Sequence, residues 1–121
     1  MKMTNFDIYV AFTKISENFK GDEVLPVKLN FYLQKNNKVL MEAAKEIEES
    51  RIAIGKKYGE ESDGGYVIPD EKIAEANAEY EELMTCEQEL NICTISIDKI
   101  PDDLELTTAQ MDALSYMIVE E

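Results

Sequence analysis

The sequence predicts an α+β fold: a long antiparallel helical hairpin on a small antiparallel sheet, with short N- and C-terminal helices, all in one domain spanning residues 1–121. Three observations predict it. Two stretches, about Lys35 to Tyr58 and Asp70 to Leu83, repeat apolar residues at spacings of three and four, the period of a helix with one buried face. Two others, about Leu25 to Leu33 and Glu89 to Asp98, are short and apolar, the first with strict alternation. Between the helices, Asp63-Gly64-Gly65 reverses the chain. With 121 residues, 45% hydrophobic and 31% charged, the chain suits a single domain with a small core.

Taken in order, the first helix opens near Thr4, with Asp7 three residues on as an approximate capping box. Ile8, Phe12, Ile15 and Phe19 then form its apolar stripe, and Lys20-Gly21-Asp22-Glu23 ends it. From Leu25 to Leu33 the alternation sets Val27, Leu29, Phe31 and Leu33 against Lys28, Asn30, Tyr32 and Gln34, the pattern of a half-buried strand. Pro26 near its start marks an edge position or a strand beginning. A helix follows from about Lys35 to Tyr58, with Leu40, Ala43, Ile47, Ile54 and Tyr58 on one stripe and Gly59 closing it. Asp63-Gly64-Gly65 reads as a tight turn carrying a short hairpin with Tyr66-Val67-Ile68.

The third helix starts near Asp70, after Pro69, and carries Ile73, Ala76, Tyr80 and Leu83. Its acidic residues, Asp70, Glu71, Glu75, Glu79, Glu81, Glu82 and Glu87, repel one another unless a cationic neighbour is supplied. The preceding helix supplies Lys35, Lys38, Lys45, Arg51, Lys56 and Lys57, so the two are expected to lie antiparallel. Their outer ends then bring the Leu25–Leu33 and Glu89–Asp98 strands together as an antiparallel pair. The second strand changes phase between Leu90, Ile92 and Cys93, Ile95, Ile97, which suggests a bulge or burial on both faces. Thr107 and Gln110 form a capping box ahead of Met111, Leu114, Met117 and Ile118, predicting a short final helix. Two strands alone leave open edges. A homo-oligomer joined along Val27, Leu29, Phe31 and Leu33 is therefore expected.

The net charge of −14 is unevenly distributed. Residues 1–57 hold ten Lys/Arg against eight Asp/Glu, whereas residues 58–121 hold two against eighteen. Such a surface repels phosphate backbones, so direct DNA or RNA backbone binding is not expected, while a basic protein surface is a fitting partner. No run of about 18 apolar residues is present, and the N-terminus lacks the apolar core of a secretory signal, so the expected place is the host cell cytoplasm, with no membrane partner. Cys86 and Cys93, with no histidine in the chain, exclude Cys/His zinc patterns and histidine-based triads and read as ordinary thiols.

Carboxylates such as Glu75 and Glu79 offer a divalent cation at most a solvated helix face, and no phosphate loop or nucleophile elbow is present. Neither an enzyme, nor a metal, nor a cofactor is expected. One candidate ligand site stands out on the polar side of the first strand and just beyond it. There Lys28, Tyr32, Lys35, Asn36 and Lys38 supply cations, an amide and a ring for stacking, suited to a small nucleotide.

Several short motifs recur in one order: Leu25-Pro26-x-Lys28 followed by a Lys-Asn pair, Lys57-Tyr58-Gly59-Glu60 after an E-x-x-R helix, and a closing LT-x-x-Q-x-x-x-L-x-x-M. In these, over about residues 1 to 118, the chain resembles a family of small phage and prophage proteins of Gram-positive bacteria, a domain of unknown function. The resemblance implies a phage origin and carries over no catalytic residue. Two non-enzymatic functions are expected from this context. One is a phage accessory protein that counters a host defence, binding a defence protein through its acidic hairpin or sequestering a small nucleotide signal. The other is a virion assembly chaperone or structural protein of tail or head, whose hairpin covers an apolar surface.

Overall fold

In the computed structural model, which describes residues 1–120, the Thr4 side chain accepts a hydrogen bond from the backbone N–H of Asp7 at 3.1 Å and starts helix α1 (Asn5–Asn18). Ile8, Ala11 and Ile15 bury along its inner side, with Phe12 and Phe19 packed at the margin of the same core. Asn5 fastens the start of this helix to a distant segment. Its Nδ2 donates to the Leu83 carbonyl at 2.8 Å, its Oδ1 accepts from Gln88 Nε2 at 2.8 Å, and its backbone N–H donates to Cys86 O.

Helix α2 runs from Val27 to Tyr58, 32 residues, or about 48 Å at 1.5 Å per residue. The expected strand from Leu25 to Leu33 is therefore corrected: from Val27 onward it is the first two turns of this helix. Pro26, whose ring fixes φ and whose missing N–H is not needed there, stands at its N-cap. The physical reason is a longer period. Leu29, Leu33, Asn36, Leu40, Ala43 and Ile47 all bury at helical spacing, whereas Val27 and Phe31, assigned with Leu29 and Leu33 to an oligomer edge, are 88% and 59% exposed. An edge-to-edge oligomer through Val27, Leu29, Phe31 and Leu33 has no strand to use, because Leu29 and Leu33 serve the core.

After α2 the chain forms the hairpin read from the sequence. Strand β2 (Glu60–Ser62) pairs antiparallel with β3 (Gly65–Val67) around Asp63 and Gly64, whose φ angles of 45° and 81° are both left-handed, as a two-residue hairpin loop requires. A 3-10 turn at Asp70–Lys72 leads into α3 (Ile73–Thr85). This helix returns antiparallel along α2, its Ala76 fully buried and Tyr80 and Leu83 half-buried, while Ile73 is 40% exposed rather than part of the apolar stripe. Lys57 reaches across to Glu79 at 3.1 Å, so the basic helix does meet the acidic one.

The expected strand Glu89–Asp98 is also corrected, since its two ends pair with different partners. Strand β4 (Glu87–Glu89) runs antiparallel to β1 (Lys2–Thr4), in register Lys2 with Glu89 and Thr4 with Glu87. Beyond an irregular stretch, β5 (Ile95–Ser96) pairs in parallel with β6 (Ile118–Val119). Between them lies α4 (Thr108–Leu114), closed at its start by the complete Thr107–Gln110 capping box. Gln110 Nε2 donates to Asn18 O at 3.0 Å and Lys14 pairs with Asp112 at 2.7 Å, seating α4 on α1. Ile8, Leu29, Leu40, Leu114 and Met117 meet at the centre, joining three helices and the turn after α4. Among the described residues, no helix is long and apolar enough to cross a membrane.

Candidate functional site

Where α3 lies along the middle of α2, the two helices leave a cleft that α1 closes at one end. Ile47, Glu48 and Arg51 approach it from α2, Tyr80 and Met84 from α3 and Tyr9 from α1, enclosing about 450 Å³. The positions follow from helix geometry: residues four apart stack on one face, which aligns Ile47 with Arg51 and Tyr80 with Met84. Arg51 and Tyr80 also wall a second cavity of about 280 Å³, continued by Ile52 and Gly55 of α2 and by Tyr66 of the β2–β3 hairpin. An added Cβ at Gly55 would meet the Tyr66 side chain at 3.7 Å, an ordinary packing distance, so the hairpin lies directly against this part of α2.

Arg51 is held rather than free. Its Nε and Nη2 bind the two oxygens of Glu48 at 3.0 and 2.6 Å, a two-point grip that fixes the plane of the guanidinium. The hydrogen bond from Arg51 holds the Glu48 carboxyl below the usual carboxylate range, and Glu48 raises the guanidinium in turn. Arg51 and Tyr80 line the same cleft from opposite helices. A cleft with tyrosines, a fixed arginine and a methionine has the composition of the central residues of protein interfaces, where large side chains of few rotatable bonds bury much area. Its flank is acidic: Glu75, Glu81 and Glu82 are exposed on α3, and none of them has a cationic partner among the described residues.

The five residues expected to hold a small ligand are placed differently. Lys28 and Lys35 each stand over a ring of the same helix, at 5.5 Å from Tyr32 and 5.8 Å from Phe31, and Lys38 is exposed a turn further on. Asn36 is corrected outright. It is 0% exposed on the inner side of α2, where its Nδ2 donates to Cys93 O at 2.8 Å and its Oδ1 accepts from Cys93 N at 2.7 Å. Asn36 therefore leaves the expected set: about 100° of helix rotation separates it from Lys35 and turns it to the core, whereas Lys28, Tyr32 and Lys35, at spacings of four and three, share the outer face. Glu79, half of the weighed carboxylate pair, is engaged by Lys57, which sets an ammonium where a cation would have to bind.

The sequence reads Arg51 only as one cation of the basic helix and does not point to Tyr9 or Met84. The available signal was modest: each flanks an apolar stripe by one position, and only the crossing of three helices brings them together. Together the fold and the cleft define a small α+β domain with an aromatic, arginine-bearing groove on its helical hairpin. No protein-family model, no curated protein and no solved structure matches the chain.

Proposed function

We propose that the chain is a non-enzymatic phage accessory protein that counters a host defence by binding a partner protein along its helical hairpin. The observation that carries this reading is the groove of Tyr9, Arg51, Tyr80 and Met84, an accessible cluster of the residue types that anchor interfaces. The acidic flank on α3 complements a basic partner and steers its approach. The phage origin is supported by the recurring motifs from Leu25 to Met117. The tests separate this from the alternative, a virion assembly chaperone, by the identity of what is captured.

A photo-crosslinking amino acid at Tyr9, in protein expressed within infected cells, should capture one predominant protein. Arg51→Ala and Tyr80→Ala should each weaken that capture about 10- to 100-fold, the scale of a central interface residue. A host defence component supports the proposal, whereas a tail or head protein would move the function to assembly. Capture no stronger than from a crosslinker at Lys38, away from the groove, would refute binding through the hairpin altogether.

A further inference from the structure

At the other end of α2, its N-terminal turns and the end of α1 enclose a separate cavity of about 310 Å³. Phe19 and Leu33 give it apolar walls, and three carboxamides line it: Asn30, Gln34 and Asn37. Their spacing of four and three sets them on one flank of α2. None of the three side chains forms a hydrogen bond within the described residues, and Asn37 Oδ1 is shielded from solvent without a partner. Asn36, one position away, has both its amide groups occupied by Cys93. A shielded amide oxygen without a donor costs about 1–3 kcal/mol, which a bound donor would recover.

The fourth polar group is Glu23. Its carboxylate folds back onto its own loop, accepting the N–H of Lys20 at 2.9 Å and of Gly21 at 3.0 Å. The first of these bonds, from Lys20, holds the carboxyl below the usual range, so it stays anionic at the mouth of the cavity. Gly21 has φ 95° and nothing within 4 Å of where a Cβ would be, which keeps the entrance open. An anionic rim disfavours a phosphate, while the free lone pairs of the same carboxylate favour an N–H donor.

We infer that this cavity is a binding site for a neutral heterocycle with a lactam edge, of the nucleobase or nucleoside type. A carboxamide offers a donor and an acceptor side by side and pairs with an adjacent C=O and N–H through two antiparallel hydrogen bonds, as Asn and Gln do on base edges. Three such groups on one wall, with Glu23 as a further acceptor, satisfy a ring with several such groups. Phe19 supplies a face for the ring to rest on. The volume lies at the small end of ligand pockets, enough for one base and not for a dinucleotide. The site is independent of the hairpin groove and does not rest on the proposed partner.

The experiment is a titration of ¹⁵N-labelled protein with uridine and with guanosine, read on the side-chain NH₂ resonances and checked by calorimetry. At least one nucleoside should shift the Gln34 and Asn37 resonances saturably, and 3-methyluridine, which lacks the lactam N–H, should bind at least about tenfold more weakly than uridine, the effect of one lost hydrogen bond to a polar site. Gln34→Ala, at an exposed helical position outside the core, should leave the melting temperature close to the parent's and abolish the shift at Asn37. No shift from either nucleoside at millimolar concentration, equal binding of the methylated compound, or tighter binding of uridine monophosphate than of uridine would overturn the assignment.

Discussion

The side chain of Asn36 and the backbone of Cys93 bind each other at two points, 2.8 Å from Nδ2 to the carbonyl and 2.7 Å from the N–H to Oδ1. The amide of a helix thus stands in for a neighbouring strand. It satisfies both backbone groups of a residue in the irregular stretch between β4 and β5. Asn36→Ala orphans both and should destabilise the protein by about 2–4 kcal/mol. Denaturant unfolding followed by circular dichroism checks this, and Asn36→Leu should do no better, since filling the volume leaves the same two groups unpaired.

Tyr116 lies beside Asn36 with its hydroxyl shielded and without a partner, because the Asn36 amide hydrogens point to Cys93 O and Met117 Sδ. Burial pushes its hydroxyl up to about 12. An unfolded tyrosine ionises near pH 10, so the contribution of Tyr116 is complete below that pH and is lost as the pH rises from about 10 to about 12. Tyr116→Phe should be neutral or stabilising by up to about 1 kcal/mol at neutral pH, since no hydrogen bond is lost. Its melting temperature should also fall less steeply than that of the parent in alkaline buffer, and a marked loss at neutral pH would show that the hydroxyl is bonded.

Glu79 joins the two long helices through Lys57. The Tyr58 hydroxyl, near enough to favour the anion though Oε2 lacks a bonded partner, and then Lys57, hold its carboxyl below the usual range. A lowered carboxylate stabilises the fold above its unfolded pKa of about 4.3, and that contribution disappears as the pH falls below it. Melting temperature against pH should therefore show a shallower acid decline in Glu79→Gln than in the parent, with only a small difference at neutral pH because the pair is exposed to solvent screening. Identical acid limbs would sink the link.

Gly59 and Gly64 are required for different reasons. Gly64 has φ 81° and open space around it, so Gly64→Ala should cost about 1–2 kcal/mol from backbone strain alone. Gly59 has an ordinary φ of −104°, yet a Cβ there would stand 2.6 Å from Gly55 O and 3.1 Å from Tyr66 Cβ. Gly59→Ala should cost about 1–3 kcal/mol by crowding. The two are told apart by Gly→Asn, which tolerates the left-handed region: Asn at 64 should recover part of the loss, and Asn at 59 should not.

Much of the architecture was legible locally. The Thr4 and Thr107 caps, the Asp63-Gly64 reversal and the antiparallel pairing of a basic with an acidic helix follow from short-range chemistry, and the structure places all four as read. The stretch from Val27 to Leu33 was not legible, because Leu29 and Leu33 satisfy an alternating pattern and a four-residue spacing equally well over so few residues. The helical stripe would have continued through position 36, but an asparagine there looks like a surface residue. Only its two bonds to Cys93 explain its burial.

By itself, then, the sequence determined the class of fold, the termini of the helices capped by threonine and the charge division between the halves of the chain. These depend on residues within a few positions of one another. Only the tertiary structure decided the period of the Val27–Leu33 segment, the splitting of Glu87–Ser96 between two partners, and the gathering of Tyr9, Arg51 and Tyr80 in one groove and of Asn30, Gln34 and Asn37 around another cavity. The reason is physical: a buried polar group, a two-residue ladder and a cleft between helices each depend on a partner far away in the chain, and nothing local in the sequence specifies which partner that is.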